Sequence, residues 1–294
     1  MSELRIRQIC AVLPQEVAHA VTALPPEQLT ALEELRLRRG CELTAVIDGR
    51  EAPLSLERPL ICTRALLEHV VNTASGYSAY AVSEALRQGF LPLQGGHRLG
   101  LCGTAVVEQG RVTTLRELSS ANLRVAGQRP GCAAPVAEAL GPAPESTLIL
   151  GPPGSGKTTL LRDLVRQLSD RFGQRVGVVD SRGELASCVD GQPQLAVGRR
   201  TDVISLIPKA AGMELLLRTM NPQWIAVDEI TAPADVETMA GASYCGVSLL
   251  ATAHAYGPED LQRRPLYRQL MELGIFTKLV VLDRNKHLRM ERTA

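Results

Sequence analysis

In the second half of the chain, short apolar runs alternate with longer stretches whose apolar residues return every three to four positions. Thr147 to Leu150, Val176 to Val179, Trp224 to Val227 and Val247 to Ala251 are too short for helices, and their near-continuous apolar character predicts strands buried on both faces. Between them, Leu160, Leu161, Leu164, Val165 and Leu168 share one helical face, and further helices are expected near Met213 and after Val227. This alternation predicts a mostly parallel sheet covered by helices on both sides. Residues 1 to about 120 follow another pattern. A short helix fits Leu13 to Leu24; Glu34 to Arg38 alternates like a half-exposed strand; Leu43 to Ile47 runs into the turn signal Asp48-Gly49. Thr63 is placed to cap a helix carrying Leu66, Leu67, Val70 and Val71 on one face and ending near Ser75-Gly76. GGHRLGLCGTAVVEQGRVTTLREL reads as two strands around Gln109-Gly110. Gly127 to Pro144, rich in Gly, Pro and Ala with a helical stretch near Val136 to Leu140, is the expected connection, giving domains at 1–125 and 126–294.

Composition narrows the classes. A length of 294 residues with 45% hydrophobic content supports two cores. The 32 basic and 31 acidic residues leave a formal charge of +1, so the whole chain has no electrostatic pull toward nucleic acid or anionic lipid. Seven dispersed cysteines with no C-x-x-C pair argue against a zinc knuckle, a redox dithiol or a disulfide framework, and fit reduced thiols. No run approaches the roughly 20 apolar residues of a membrane span. A soluble, cytoplasmic protein is expected.

The candidate chemistry begins at the first buried run. Gly151-Pro152-Pro153-Gly154-Ser155-Gly156-Lys157-Thr158-Thr159 satisfies G-x-x-x-x-G-K-[ST] between an apolar strand and an amphipathic helix. Glycines there let successive backbone N–H groups turn toward phosphates, and the helix N-terminus adds its dipole. Lys157 would reach the β- and γ-phosphates, and Thr158 would place its hydroxyl on Mg²⁺ with Thr159 beside it. The strand Trp224 to Val227 ends in Asp228-Glu229, the Walker B arrangement: Asp228 for the Mg²⁺ shell, Glu229 as general base toward water. The next strand ends in Thr252 and His254, the latter expected beside the γ-phosphate. For Glu184, after the strand ending in Asp180, an outer carboxylate of the metal site and a solvated loop acid both stay open. Arg182, Arg199, Arg200 and Arg218 are candidates to meet the γ-phosphate, in this subunit or across a subunit boundary. Lys209, after Pro208, is expected to be a solvated surface charge. Asn285-Lys286-His287-Leu288 lacks the aspartate of a guanine-reading loop and reads as a hairpin turn, so ATP is favoured over GTP. These features define the expected fold class: α/β, a RecA-like P-loop NTPase domain preceded by a smaller α+β domain.

The succession GPPGSGKTT, VVDSRGELA, GRRTDVIS, PKAAGMELLLRTMNP, WIAVDEI, LLATAHA resembles the stage III sporulation protein AA family, which is related to the hexameric traffic ATPases of type II and type IV secretion and pilus assembly. GYSAYAVSEALRQG and GGHRLGLCGTAVVEQG resemble that family's N-terminal domain. The resemblance implies an acidic box at Glu184, Walker B at Asp228 and Glu229, a histidine box at His254, and an arginine ahead of Walker B at Arg218. It also makes Arg124 a candidate from the N-terminal domain. It implies ATP and Mg²⁺ as cofactors and a homo-oligomer, a hexamer on the pattern of those ATPases. The motor would sit at the cytoplasmic face of a membrane, contact an inner-membrane protein of a secretion-like complex, and energise a channel between mother cell and forespore. One departure stands out: Ile230 is followed by Thr231, Ala232 and Pro233, not by the arginine of the secretion ATPases, so Asp235 and Glu237 are expected to cap the next helix. Two other classes remain, a nucleic-acid-dependent ATPase using Arg98, Arg111, Arg116 and Arg124, and a nucleotide-gated scaffold with little hydrolysis. Near-zero charge and 3% aromatic content weigh against the first, so nucleic acid is not the expected partner.

Overall fold

Alternating Leu and charged residues in LEELRLR can bury one side only, and that is how the N-terminal sheet is organised: Leu32, Leu35 and Leu37 face its core. The computed structural model describes residues 2–56, 58–108, 110–143 and 145–293, in two units divided at Gly127/Gln128. The first unit contains α1 (Ser2–Cys10), α2 (Gln15–Thr22), α3 (Pro26–Ala31), β1 (Leu32–Arg38), β2 (Thr44–Ile47), β3 (Arg50–Pro53), α4 (Arg64–Ala74), α5 (Ala79–Gln88), β4 (Leu91–Pro92), β5 (Arg98–Glu108) and β6 (Arg111–Arg124). Its sheet runs β3-β2-β1-β6-β5-β4 with every neighbouring pair antiparallel. Asp48 (φ 47°) and Gly49 (φ 74°) close the β2–β3 hairpin, both in the left-handed conformation a two-residue turn of this hand requires. Thr63 Oγ1 accepts the Leu66 N–H at 3.1 Å and starts α4, whose Leu67, Val70 and Val71 are buried. The β5–β6 hairpin lies where its pattern placed it; Gln109 at its tip and the Arg111 side chain lie outside the described residues, as does Pro144 at the end of the Gly/Pro/Ala-rich segment.

The second unit contains α6 (Ala134–Leu140), β7 (Thr147–Leu150), α7 (Lys157–Asp170), β8 (Val176–Asp180), β9 (Thr201–Ser205), α8 (Lys209–Thr219), β10 (Trp224–Val227), α9 (Pro233–Tyr244), β11 (Ser248–Ala253), α10 (Pro258–Arg263), α11 (Pro265–Glu272), β12 (Lys278–Leu282) and β13 (Leu288–Arg292). The sheet order is β13-β12-β7-β11-β10-β8-β9, parallel throughout except for β13. Alternation sorts its residues onto two cores: Leu148, Leu150, Ile225 and Val227 lie with Met213, Met239 and Leu270 on one face, and Ile149, Trp224 and Ala226 with Val136, Leu161 and Leu164 on the other. Helices therefore cover both faces, as the pattern predicts. Strand β9 was not foreseen: TDVIS has two apolar residues in five and is half-buried at the sheet edge, so it carries little of the buried-strand signal. The start of this unit is tied to α7 by Asp163, whose Oδ2 accepts the N–H groups of Gly131 (2.9 Å) and Ala133 (2.8 Å). Among the described residues no helix is long and apolar enough to cross a membrane.

Candidate nucleotide site

The C-terminal ends of β7, β8, β10 and β11 meet at one edge of the parallel sheet, where loops leave the strands. The loop after β7 bends through Gly154 (φ 76°) and Gly156 (φ 97°), a conformation any Cβ would strain. At Gly151 a Cβ would fall 2.5 Å from Ser155 Oγ and 2.8 Å from the Leu282 carbonyl, so the loop closes only around glycine. Ser155 Oγ is buried without a hydrogen-bond partner, and no side chain caps the N-terminus of α7. Both leave polar groups free for an anion.

Lys157 lies within this loop. Its Nζ donates to the carbonyls of Gly151 and Pro152, each at 2.9 Å, and meets His254 Nδ1 at 3.0 Å. Burial lowers the ammonium's pKa, while Asp228 and Glu229 pull it back up. One residue on, Thr158 Oγ1 donates to Asp228 Oδ2 at 2.7 Å. Burial raises the Asp228 carboxyl above the ordinary range; hydrogen bonds from Thr252 and Thr158 oppose this, and the charges of Glu184 and Glu229 add to it. Thr252 Oγ1 donates to Asp228 Oδ1 at 2.6 Å and accepts the Glu229 N–H at 2.8 Å, so one hydroxyl fixes both acids. Glu229 pays with a left-handed backbone (φ 55°), a strain of about 1–2 kcal/mol for a residue with a side chain. That turn sends its carboxylate away from Asp228: Oε1 lies 3.1 Å from His254 Nε2 and Oε2 3.0 Å from Arg182 Nη1.

The loop after β8 is built on Asp180, which is almost wholly buried. Its Oδ1 accepts the N–H groups of Glu184 (2.6 Å) and Leu185 (2.9 Å), and its Oδ2 those of Ala186 (2.8 Å) and Ser187 (3.1 Å). From α7, buried Arg162 donates to the carbonyls of Leu185 (2.7 Å) and Glu184 (2.6 Å). Clamped from both sides, the loop holds the Glu184 carboxylate close enough to raise the proton affinity of Asp228, the arrangement of an outer carboxylate.

The structure thus brings together the loop Gly151 to Gly156, Lys157, Thr158, Asp228, Glu229, His254 and Glu184, with Thr159 in the first turn of α7. It does not bring every candidate there. Arg218 is in the last turn of α8, 77% exposed, with its own helix neighbour Glu214 at 3.6 Å; α8 runs from the phosphate edge to the opposite one, so in this subunit Arg218 is removed from the cradle. Arg199 and Arg200 lie beside Asp170 and Gly173 at the far end of α7, about 20 Å along that helix from Lys157. Arg124 pairs with Glu34 in the N-terminal sheet (3.5 Å). Lys209 is not the solvated charge its position predicts: its side chain is 10% exposed, donates to Thr231 Oγ1 at 3.1 Å and lies 3.9 Å from Asp235. Asp235 caps α9, accepting the N–H groups of Thr231 and Ala232, both at 3.1 Å. Sequence reasoning did not anticipate the positioning done by Asp180, Arg162 and Thr252; the only signal for any of them is that Asp180 and Thr252 end buried strands at the site edge.

A hydroxyl and a carboxylate in contact, with two further carboxylates nearby, suit a hard divalent cation with oxygen ligands such as Mg²⁺. No cluster of three or more His, Cys, Asp or Glu able to cage a metal occurs among the described residues. The loop and helix N-terminus likewise fit a polyphosphate.

Known proteins resemble this chain in sequence and in fold. The family described as "Sporulation stage III, protein AA" matches residues 3–290. Stage III sporulation protein AA of Bacillus subtilis (strain 168) is 36% identical over 286 residues, covering 96% of this chain and 92% of the relative. Among solved structures, the Legionella pneumophila ATPase DotB superposes with a TM-score of 0.58 at 17% identity, over 89% of this chain and 76% of its own. The pilus retraction motor PilT, solved with bound ADP, gives 0.60 at 17%, over 86% and 74%. The second unit has the RecA-like P-loop fold of these neighbours.

Proposed function

The chain belongs to the sporulation stage III protein AA family, and we propose that it is a Mg²⁺-dependent ATPase acting as an oligomeric motor on a membrane complex. The observation that carries this reading is the contact of Thr158 with Asp228 at 2.7 Å, beside a glycine loop containing Lys157 and one residue from Glu229. Thr158 and Asp228 would hold Mg²⁺, which when bound draws negative charge off the β- and γ-phosphates. Lys157 would exchange the Gly151 and Pro152 carbonyls and His254 for phosphate oxygens. Glu229, turned off the Asp228 direction by its left-handed backbone, would take the proton of the attacking water, with His254 orienting the γ-phosphate or that water.

Among the described residues of the second unit, the arginine at the cradle is Arg182, bound to Glu229. A second positive group for the γ-phosphate would come from a neighbouring copy, for which the exposed Arg199 and Arg218 are candidates, and this supports a homo-oligomer on the hexameric pattern. Family membership supports a peripheral site at the cytoplasmic face of a membrane, an inner-membrane protein as partner, and a channel complex as the device energised. Nucleic acid is not the proposed partner: Arg98 is stacked over Phe90 (4.4 Å) and Arg124 is near Glu34 (3.5 Å), so the arginines of the first unit are partly engaged.

The test is ATP hydrolysis by the full chain with and without Mg²⁺, alongside molar mass by light scattering. Turnover should require Mg²⁺, Lys157→Ala should lose nucleotide binding, and Glu229→Gln should bind ATP but lose about 10²–10⁴ of kcat. Turnover undiminished in Glu229→Gln would remove the base assignment; ATP binding without turnover in any chain would replace the motor by a nucleotide-gated scaffold.

A further inference from the structure

Four side chains form a continuous line from the phosphate loop to solvent. Lys157 Nζ meets His254 Nδ1 at 3.0 Å, His254 Nε2 meets Glu229 Oε1 at 3.1 Å, and Glu229 Oε2 meets Arg182 Nη1 at 3.0 Å. An ammonium has only donors, so Nδ1 accepts from Lys157 and Nε2 carries the proton given to Glu229. Each oxygen of the glutamate therefore accepts from one donor, which fixes the direction of the carboxylate and lowers its basicity, and in this arrangement Glu229 is parked.

The two partners differ in kind. His254 is engaged with Lys157 and comes free when that lysine turns to phosphate. Arg182 is 65% exposed, projects from the loop anchored on Asp180, and its Nε lies 4.0 Å from Glu184. An ion pair this exposed is weak enough to open. We infer that Arg182 is a positioning residue that holds the Glu229 carboxylate off the reacting water and must release it before turnover. This rests on Glu229 being the base, and it makes Arg182 a restraint on the basal rate where the sequence offers it only as a phosphate contact.

The experiment is steady-state hydrolysis of Mg-ATP by the full chain, comparing wild type with Arg182→Gln, Arg182→Lys, Glu229→Gln and the Arg182→Gln/Glu229→Gln double variant. Arg182→Gln should raise kcat about three- to tenfold with KM changed less than about threefold, the gain expected from opening one exposed pair. Arg182→Lys, which keeps the charge and loses the planar fork, should fall between them. The double variant should be as inactive as Glu229→Gln, because the gain acts through the glutamate. A tenfold fall in kcat for Arg182→Gln would make the arginine a γ-phosphate contact and overturn the restraint, and a kcat within twofold of wild type would make it a surface residue. If Glu229→Gln turns over normally, or no chain hydrolyses bound ATP, the base assignment fails and the restraint falls with it.

Discussion

Asp180 accepts four consecutive backbone N–H groups through two oxygens, and nothing else in the loop can replace them. Asp180→Ala should cost about 2–4 kcal/mol, the penalty for orphaning several buried donors. It should also accelerate amide exchange at residues 184–187, and lower kcat as Glu184 and Arg182 lose their support. Unchanged exchange in that loop would mean that Arg162, bonded to the carbonyls of Glu184 and Leu185, holds it alone. The placement of residues was legible in the sequence where a short motif fixes both spacing and context, as at Gly151 to Thr158 and Asp228-Glu229. It was not legible where one side chain serves distant backbone. Asp180 reads as a loop acid because its four partners lie beyond it, and Lys209 reads as surface because Thr231 and Asp235 reach it only through the fold. The left-handed Glu229 is likewise invisible beforehand, since no residue type there announces a positive φ.

At the scale of elements, caps and turns carried the clearest signals. Thr63 caps α4 as its position before an apolar-periodic stretch predicts, so Thr63→Ala should lower stability by about 1 kcal/mol in denaturant unfolding, whereas Thr63→Ser should be nearly silent. Equal losses for both would shift the weight from the hydroxyl to the threonine methyl. The buried strands β7, β8, β10 and β11 were found to within one or two residues because both faces demand apolar side chains, whereas the equally buried β12 was given no bounds beforehand. Strand β9 was missed for the converse reason. Its Thr201, Asp202 and Ser205 are tolerated on a half-buried edge, and its place beside β8 is set by pairing, with no hydrophobic period to mark it. The short helices α10 and α11, separated by Arg264 alone, also escaped, because Pro258 and Pro265 read locally as turns until they are seen opening helices at the first position.

For the whole molecule, acid sensitivity has an address outside the nucleotide site. His97 is almost wholly buried in the first unit, and its Nδ1 accepts the Ala126 N–H at 3.0 Å. Burial, with some help from the Arg5 charge, lowers its pKa from 6.5 to about 4. The unfolded chain therefore binds this proton more readily than the folded one, and stability is full above about pH 6.5 and falls as pH drops toward 4, by up to about 3 kcal/mol. Melting from pH 7.5 down to 4.5 should show that decline, flattened in His97→Gln; parallel curves for the two proteins would place the acid-labile group elsewhere.

The neighbours of the phosphate-loop strand also set a timetable. Strand β7 lies between β11 and β12, so its TLIL segment leaves the ribosome with no partner on either side. The first partner waits for Ser248 and the second for Lys278, on the order of five to twenty-five seconds of translation. The antiparallel N-terminal sheet closes long before that. Throughout this interval the nascent second unit exposes its most apolar segments and cannot close the Gly151 loop against Leu282. Closing the nucleotide cradle therefore waits for β11 and β12, long after the phosphate-loop strand itself has been made.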